Sequence, residues 1–220
     1  MYTLNLKIVT ALTSALLMNV SGGSAALAKT ALNFSRSPQV LVSPDKTCEI
    51  QNLVDAANKD YSLLYVEAPD ELLLIRKNAK NSRTKLLKYH RNVDVFWAPD
   101  SKAFVVNDWK ENNYCDAYLY DLRSLPKPTS LKQKLITSRI AEEEKALIAN
   151  KEYSYVFAKE WHNSAELLVK ASGHYFLENK TVAYTLFYLW EMKTNRWKLL
   201  KKESIENLER DVINMKQFGA

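Results

Sequence analysis

One short unit recurs along this chain and limits what it can fold into: an aromatic strand end, a tight turn, then an apolar strand. The clearest copy runs Val95-Phe96-Trp97, turns at Ala98-Pro99-Asp100-Ser101, and continues as Lys102-Ala103-Phe104-Val105-Val106. Pro99 pre-sets the turn dihedral and Asp100 can accept a hydrogen bond from the turn backbone, so the segment reads as a hairpin. A second copy places Trp161-His162-Asn163-Ser164 before Ala165-Glu166-Leu167-Leu168-Val169, with a turn one residue shorter. The strand Tyr118-Leu119-Tyr120-Asp121-Leu122 is matched by Tyr188-Leu189-Trp190-Glu191-Met192 as aromatic, Leu, aromatic, acid, apolar. Weaker copies stand at Ala68-Pro69-Asp70-Glu71 and Ser43-Pro44-Asp45-Lys46. Punctuation of this kind predicts repeated antiparallel sheet units, irregularly spaced, rather than an α/β fold.

These residues resemble the blades of β-propellers of the TolB type, in which an aromatic, Ser-Pro-Asp-Gly and an apolar strand recur. Trp97-Ala98-Pro99-Asp100-Ser101 is the best match, and Tyr118-Leu119-Tyr120-Asp121-Leu122 looks like the closing strand of such a blade. The resemblance covers residues 43–125 and, more loosely, 152–202. It implies a fold and names no activity. The chain departs from the pattern in lacking the turn glycine in every copy, and its roughly ten strands fall short of the roughly sixteen of a four-bladed ring. The expected fold is therefore mainly β: antiparallel propeller-like partial or open curved sheet units with one internal and one C-terminal helix.

Residues 1–28 read as a secretory signal peptide, with Lys7, an apolar run from Ile8 to Val20, and small residues Ala26 and Ala28 before the cut. Thr10, Thr13, Ser14 and Asn19 interrupt the run, so cleavage before Lys29 is expected rather than a membrane anchor. Residues 29–220 then form a single β-rich domain. Its parts are a first sheet region at 43–125, a helical connection at 126–150, a second sheet region at 151–203, and a C-terminal helix at 204–220. Pro126-Lys127-Pro128 closes the first region, and Thr129 or Ser130 can cap the internal helix. Leu131, Leu135, Ile136, Ile140 and Leu147 fall near helical spacing, with Glu142-Glu143-Glu144 in the middle. Ser204 is predicted to cap the final helix, whose stripe is Ile205, Leu208, Val212 and Met215.

Several chemistries are excluded. The chain has four glycines, two of them in the signal, so neither a Walker loop nor a dinucleotide fingerprint can be assembled. No Gly-x-Ser-x-Gly elbow occurs. His90, His162 and His174 lack i, i+4 partners, and the cysteines lack metal-ligand spacing. No catalytic, metal or cofactor-binding set is predicted. The net charge of +6 comes from interspersed charges. The densest basic stretches, Arg76 to Arg83 and Lys198 to Lys202, read as a solvated hairpin tip and a Lys-protected edge strand rather than a nucleic-acid site. In an exported chain, Cys48 and Cys115 are expected to pair as a disulfide. Asp94, Asp100, Asp108 and Asp116 share one sheet region, but the sequence places no two at the roughly 5–10 Å of glycosidase chemistry.

The segment Asn107-Asp108-Trp109-Lys110-Glu111-Asn112-Asn113-Tyr114 reads as a polar inter-strand loop. Trp109 and Tyr114 are the candidate binding residues, the alternative being that Trp109 folds back over the sheet. The expected protein is an exported, soluble binding or protein-interaction module of the bacterial envelope, periplasmic or secreted. Its expected partner is another envelope protein or a surface polymer, not nucleic acid, and no transmembrane segment is expected after cleavage. Two alternatives are an envelope-polymer hydrolase acting through carboxylates and a periplasmic inhibitor or immunity-type protein.

Overall fold

The computed structural model describes residues 31–34, 38–53, 70–77, 82–111, 114–149, 153–177 and 180–209; the expected signal peptide at 1–28, Ala68, Pro69 and residues 210–220 lie outside them. The described chain forms three four-stranded antiparallel leaves. The first is a meander of β2 (Val40–Val42), β3 (Cys48–Leu53), β4 (Asp70–Arg76) and β5 (Ser82–Tyr89). The second joins β1 (Ala31–Phe34), β6 (Asn92–Trp97), β7 (Ala103–Glu111) and β8 (Tyr114–Asp121), with the short β9 (Thr129–Ser130) on β8. The third is a meander of β10 (Ser154–Asn163), β11 (Glu166–Leu177), β12 (Lys180–Glu191) and β13 (Arg196–Glu209). A parallel contact of two residue pairs, Ser154 with Tyr114 and Tyr155 with Cys115, joins the second and third leaves. Among the described residues the sheets do not close on themselves, and the fold is an open, propeller-like β arrangement.

Two cores separate the leaves. Between the first and second lie Ile50, Leu72, Leu74, Trp97, Phe104 and Tyr120. Between the second and third lie Val105, Ala117, Val156, Val169, Leu186 and Tyr188, joined by Leu131, Leu135 and Ile148 from two helices. The middle leaf is thus covered on both faces, which explains why Ala103 to Asp108 of β7 are buried without a break. In β12, with one face on the core, burial alternates from Tyr184 to Trp190 as the period of two requires.

The recurring turns share hydrogen bonds as well as residues. In Ala98–Ser101, Ser101 N–H donates to Ala98 O at 2.9 Å, Ala98 N–H to Ala103 O at 2.9 Å, and Lys102 N–H to Asp100 Oδ1 at 3.1 Å. The weaker copy repeats all three: Lys46 to Ser43 at 2.9 Å, Ser43 to Cys48 at 2.9 Å, and Thr47 to Asp45 Oδ1 at 3.0 Å. Ser101 and Lys46 occupy the left-handed region, at φ 59° and 62°, where the propeller motif carries glycine. The two turns also touch, Asp45 N–H donating to Ser101 Oγ at 3.0 Å. In the later copy, Ala165 N–H reaches Asn163 Oδ1 at 2.8 Å, as Lys102 reaches Asp100. Met192 N–H donates to Ala165 O at 2.9 Å, as Leu122 donates to Lys102 O at 3.0 Å.

Four expectations are corrected. The internal helix is two helices, α1 (Leu131–Ile136) and α2 (Glu142–Ala149). Ser130 caps α1 by accepting from Gln133 N–H at 3.1 Å, but the triple glutamate opens α2 instead of lying mid-helix, where its charge suits the positive end of the dipole. The C-terminal helix does not begin at Ser204: β13 continues to Glu209, with Ser204 opposite Tyr184 and Ile205 opposite Ala183. The long free edge of β12 offers these residues backbone partners, and sheet pairing overrides the helical spacing.

The disulfide is also absent. Cys48 and Cys115 are both free and buried. Cys48 follows the Ser43–Lys46 turn on the first leaf, beside the turn of the second. Cys115 is the second residue of β8, six residues from Asp121 at the turn end, about 20 Å of strand rise away. Bridged cysteines need Cα atoms within about 7 Å. Burial also pushes the Cys115 thiol pKa up, reinforced by Asp116 and Asp108, so the thiolate is disfavoured.

Candidate functional site

The expected binding loop is mostly strand. β7 runs to Glu111 and β8 resumes at Tyr114, so Asn107 and Asp108 are buried ladder residues. Asn107 ties the second leaf to the third. Its amide donates to Ala158 O at 2.9 Å and accepts from Ala158 N–H at 2.8 Å, satisfying a backbone stretch where β10 has left β8. Trp109 is half-buried, its Nε1 donating to Asp94 Oδ2 at 2.7 Å and its ring 5.2 Å from Phe157. Tyr114 is half-buried under Lys132 Nζ, which lies 4.9 Å from the ring centroid, and burial and Asp116 push its hydroxyl up to about 12. The two residues have separate neighbours and do not form one aromatic pair.

Trp109 instead heads a row that crosses the third leaf. Phe157, Lys170, Phe187 and Lys201 are register partners in turn on β10, β11, β12 and β13. The Lys170 ammonium lies 5.7 Å from the Phe157 centroid and 5.8 Å from that of Phe187, and Lys159 is 5.7 Å from Phe157. Val156, Ala158, Val169, Leu186 and Tyr188 point into the core, so strand alternation sends Phe157, Lys170 and Phe187 to the outer face. They are half-buried, and Lys201 is exposed. The sequence reading missed this row. Alternation alone puts Phe157, Lys170 and Phe187 off-phase on their own strands, and only the register lines them up.

Asp108 and Asp116 are brought together directly across β7 and β8. Both are buried, and burial raises both pKa values. Lys110, 3.6 Å from Asp108, opposes the rise there, while Asp116 adds to it. Asp116 accepts from Ser130 Oγ at 2.8 Å and Lys132 N–H at 3.3 Å, which fastens the start of α1 to β8. Asp108 Oδ1 is buried and has no hydrogen-bond partner among the described residues. The register supplies the neighbouring carboxylates that the hydrolytic alternative needs. A hollow of about 280 Å³ is lined by Asp116, Tyr114 and Lys132 but not by Asp108, so the pair does not face it together. Asp94 serves Trp109 and Asn33, and Asp100 serves its own turn. His162 sits 4.0 Å from Glu166 at a turn, and His174 stacks on Tyr153 at 3.8 Å.

No family pattern and no curated protein matches the sequence. Among solved structures, the chain is similar to one from a study of two prolyl endopeptidases and their inter-domain dynamics, with 11% identity and a TM-score of 0.37. That match covers 78% of this chain and 29% of the other. It is also similar to TolB from Acinetobacter baumannii, with 10% identity, a TM-score of 0.35, and coverage of 81% of this chain and 45% of TolB. The chain thus spans less than half the length of either. The likeness is partial, as is the TolB-type resemblance of the turn motifs, and at these scores it carries no argument about what the chain does.

Proposed function

We propose that the chain is a binding module exported to the bacterial envelope, where it holds another envelope protein against the outer face of the third leaf. The observation that supports this reading is the row Trp109, Phe157, Lys170, Phe187 and Lys201, which leads across the leaf to β13. β13 ends the strand order and is 14 residues long, so a partner strand can extend the sheet there while the row supplies side-chain contacts. Aromatic rings flanked by lysines suit a surface with apolar and acidic groups, and aromatics commonly carry most of the energy at such contacts. The lysines on β13, Lys198, Lys201 and Lys202, are exposed, and they discourage indiscriminate edge pairing. Export rests on the N-terminal segment; among the described residues no helix is long and apolar enough to cross a membrane.

Site-specific photo-crosslinking in intact cells tests the reading, with the crosslinker placed at Lys170 or Lys201. One discrete adduct is expected, and Phe157→Ala with Phe187→Ala should reduce it at least about tenfold, equivalent to 1.4 kcal/mol, without unfolding the protein. Equal adduct yields in the folded double variant would remove this face as the binding surface.

A further inference from the structure

On the other face of the third leaf, α1 and α2 stand between it and the second leaf, and the seam opens at the turn end into a groove of about 470 Å³. That is within the range of small-molecule sites. The groove lies between matched ends of two repeats. Arg123 on one side and Lys193 on the other each follow the acid-apolar end of a closing strand, Asp121-Leu122 and Glu191-Met192. Lys134 of α1 adds a third cation.

The charges there do not cancel. Arg123 is held by Asp121, its Nε 3.0 Å from Oδ1, and Lys102 lies 3.7 Å from Asp100. Lys134 and Lys193 line the groove and make no ion pair among the described residues. Leu119, Trp190 and Met192 give the same groove an apolar part, beside the hydroxyls of Ser124, Thr129 and Ser164. Trp190 is locked in place by stacking on Trp197, with centroids 5.1 Å apart and planes 10° apart, and by donating from Nε1 to Asn195 Oδ1 at 3.2 Å. An apolar bed with two uncompensated ammonium groups at its rim selects for charge and tail together.

We propose that this groove binds a small anion carrying an apolar tail, in the class of acyl and aryl carboxylates, with Lys134 and Lys193 at the head group and Leu119, Trp190 and Met192 against the tail. The site is separate from the outer row and does not depend on it.

The test uses the full chain without its signal and 8-anilinonaphthalene-1-sulfonate, a flat aromatic anion that fluoresces when it leaves water. Saturable enhancement is expected, displaced by decanoate if the site takes acyl chains and by 1-naphthoate if it takes aryl groups. Lys134→Glu with Lys193→Glu should weaken binding at least about tenfold, and added salt should weaken it in the wild type. Lys198→Glu with Lys202→Glu makes the same charge change on β13 and should leave binding unaltered. Equal losses in both double variants, no loss in either, or displacement by inorganic phosphate as effective as by both carboxylates would overturn the proposal. If the charge reversal unfolds the protein, Lys134→Gln with Lys193→Gln reads the same contrast, with an expected loss of about threefold.

Discussion

The two seams between leaves solve one problem in different ways. The seam between the first and second leaves is sheet on sheet and rich in rings. Trp97 lies 4.9 Å from Phe104, Phe104 stacks on Tyr120 at 5.0 Å, and Tyr120 donates to Leu86 O at 3.2 Å across the seam. The seam between the second and third leaves contains helices and is tied by polar bonds. Tyr188 donates to Glu144 Oε2 at 2.7 Å, Tyr184 to Leu147 O at 2.9 Å, and Ser154 to Ile148 O at 2.9 Å. Direct packing leaves one interface closed. A helical wedge whose buried polar groups must all be matched leaves room for a groove, and it stakes stability on specific bonds as well as on area.

The matched tryptophans give the largest expected contrast. Trp97 is 3% exposed inside the first seam, so Trp97→Ala should cost about 3–5 kcal/mol in urea denaturation. Trp161 is half-buried beside the second seam, its Nε1 donating to Phe96 O at 3.0 Å, and Trp161→Ala should cost about half as much. Equal losses would erase the distinction between the seams.

The next effect concerns the polar ties. Asn107→Ala leaves the buried Ala158 N–H and C=O without their partner and should cost about 2–3 kcal/mol. A loss below about 0.5 kcal/mol in the same assay would show that the second seam does not depend on this bond.

A smaller effect depends on pH. The raised pKa values of Asp108 and Asp116 mean that the native state keeps protons the unfolded chain has released. Their contribution therefore falls as pH rises from the ordinary carboxylate value of about 4 through the folded values. Asp108→Asn should flatten that decline in a urea series and raise the midpoint near pH 7. A parallel decline in the variant would assign the effect elsewhere.

The smallest effect probes the repeat. Lys46 is exposed and left-handed, so Lys46→Gly should stabilise by about 0.5–1 kcal/mol by relieving the Cβ conflict. A loss of thermal midpoint would mean that the lysine side chain itself secures the turn.

The repeat was legible because Pro, Asp and an aromatic report on the few residues around them. The copy at Ser43–Lys46 looked weak by sequence because it lacks the preceding tryptophan, yet its turn bonds match those of Ala98–Ser101. The tail misled for the complementary reason. Ile205 and Leu208 sit at helical spacing, but pairing with Ala183 and Thr181 on the preceding strand β12, outside any helical window, decides their backbone. Trp109 and Tyr114 were found as aromatics, while the outer row depends on four strands in register, which no local pattern states. The pairing of Asp108 with Asp116 is likewise a fact of register. The cysteine expectation failed because compartment chemistry says whether two thiols can oxidise, not whether a fold brings them together.

One connection departs from the order of the chain. β1 takes its place beside β6, with Ala31 opposite Phe96, whereas the other long antiparallel strands pair with neighbours in sequence. A chain made from its N-terminus therefore yields this strand before the first leaf and can seat it only after that leaf has followed. The closure is thermodynamically cheap, since each doubling of a loop costs only about 0.6 kcal/mol. It is nevertheless a slow, high-contact-order step. Until Val93 and Val95 arrive, Leu32 and Phe34 wait without a sheet, and the middle leaf, on which both seams depend, is completed by a strand made well before its neighbours.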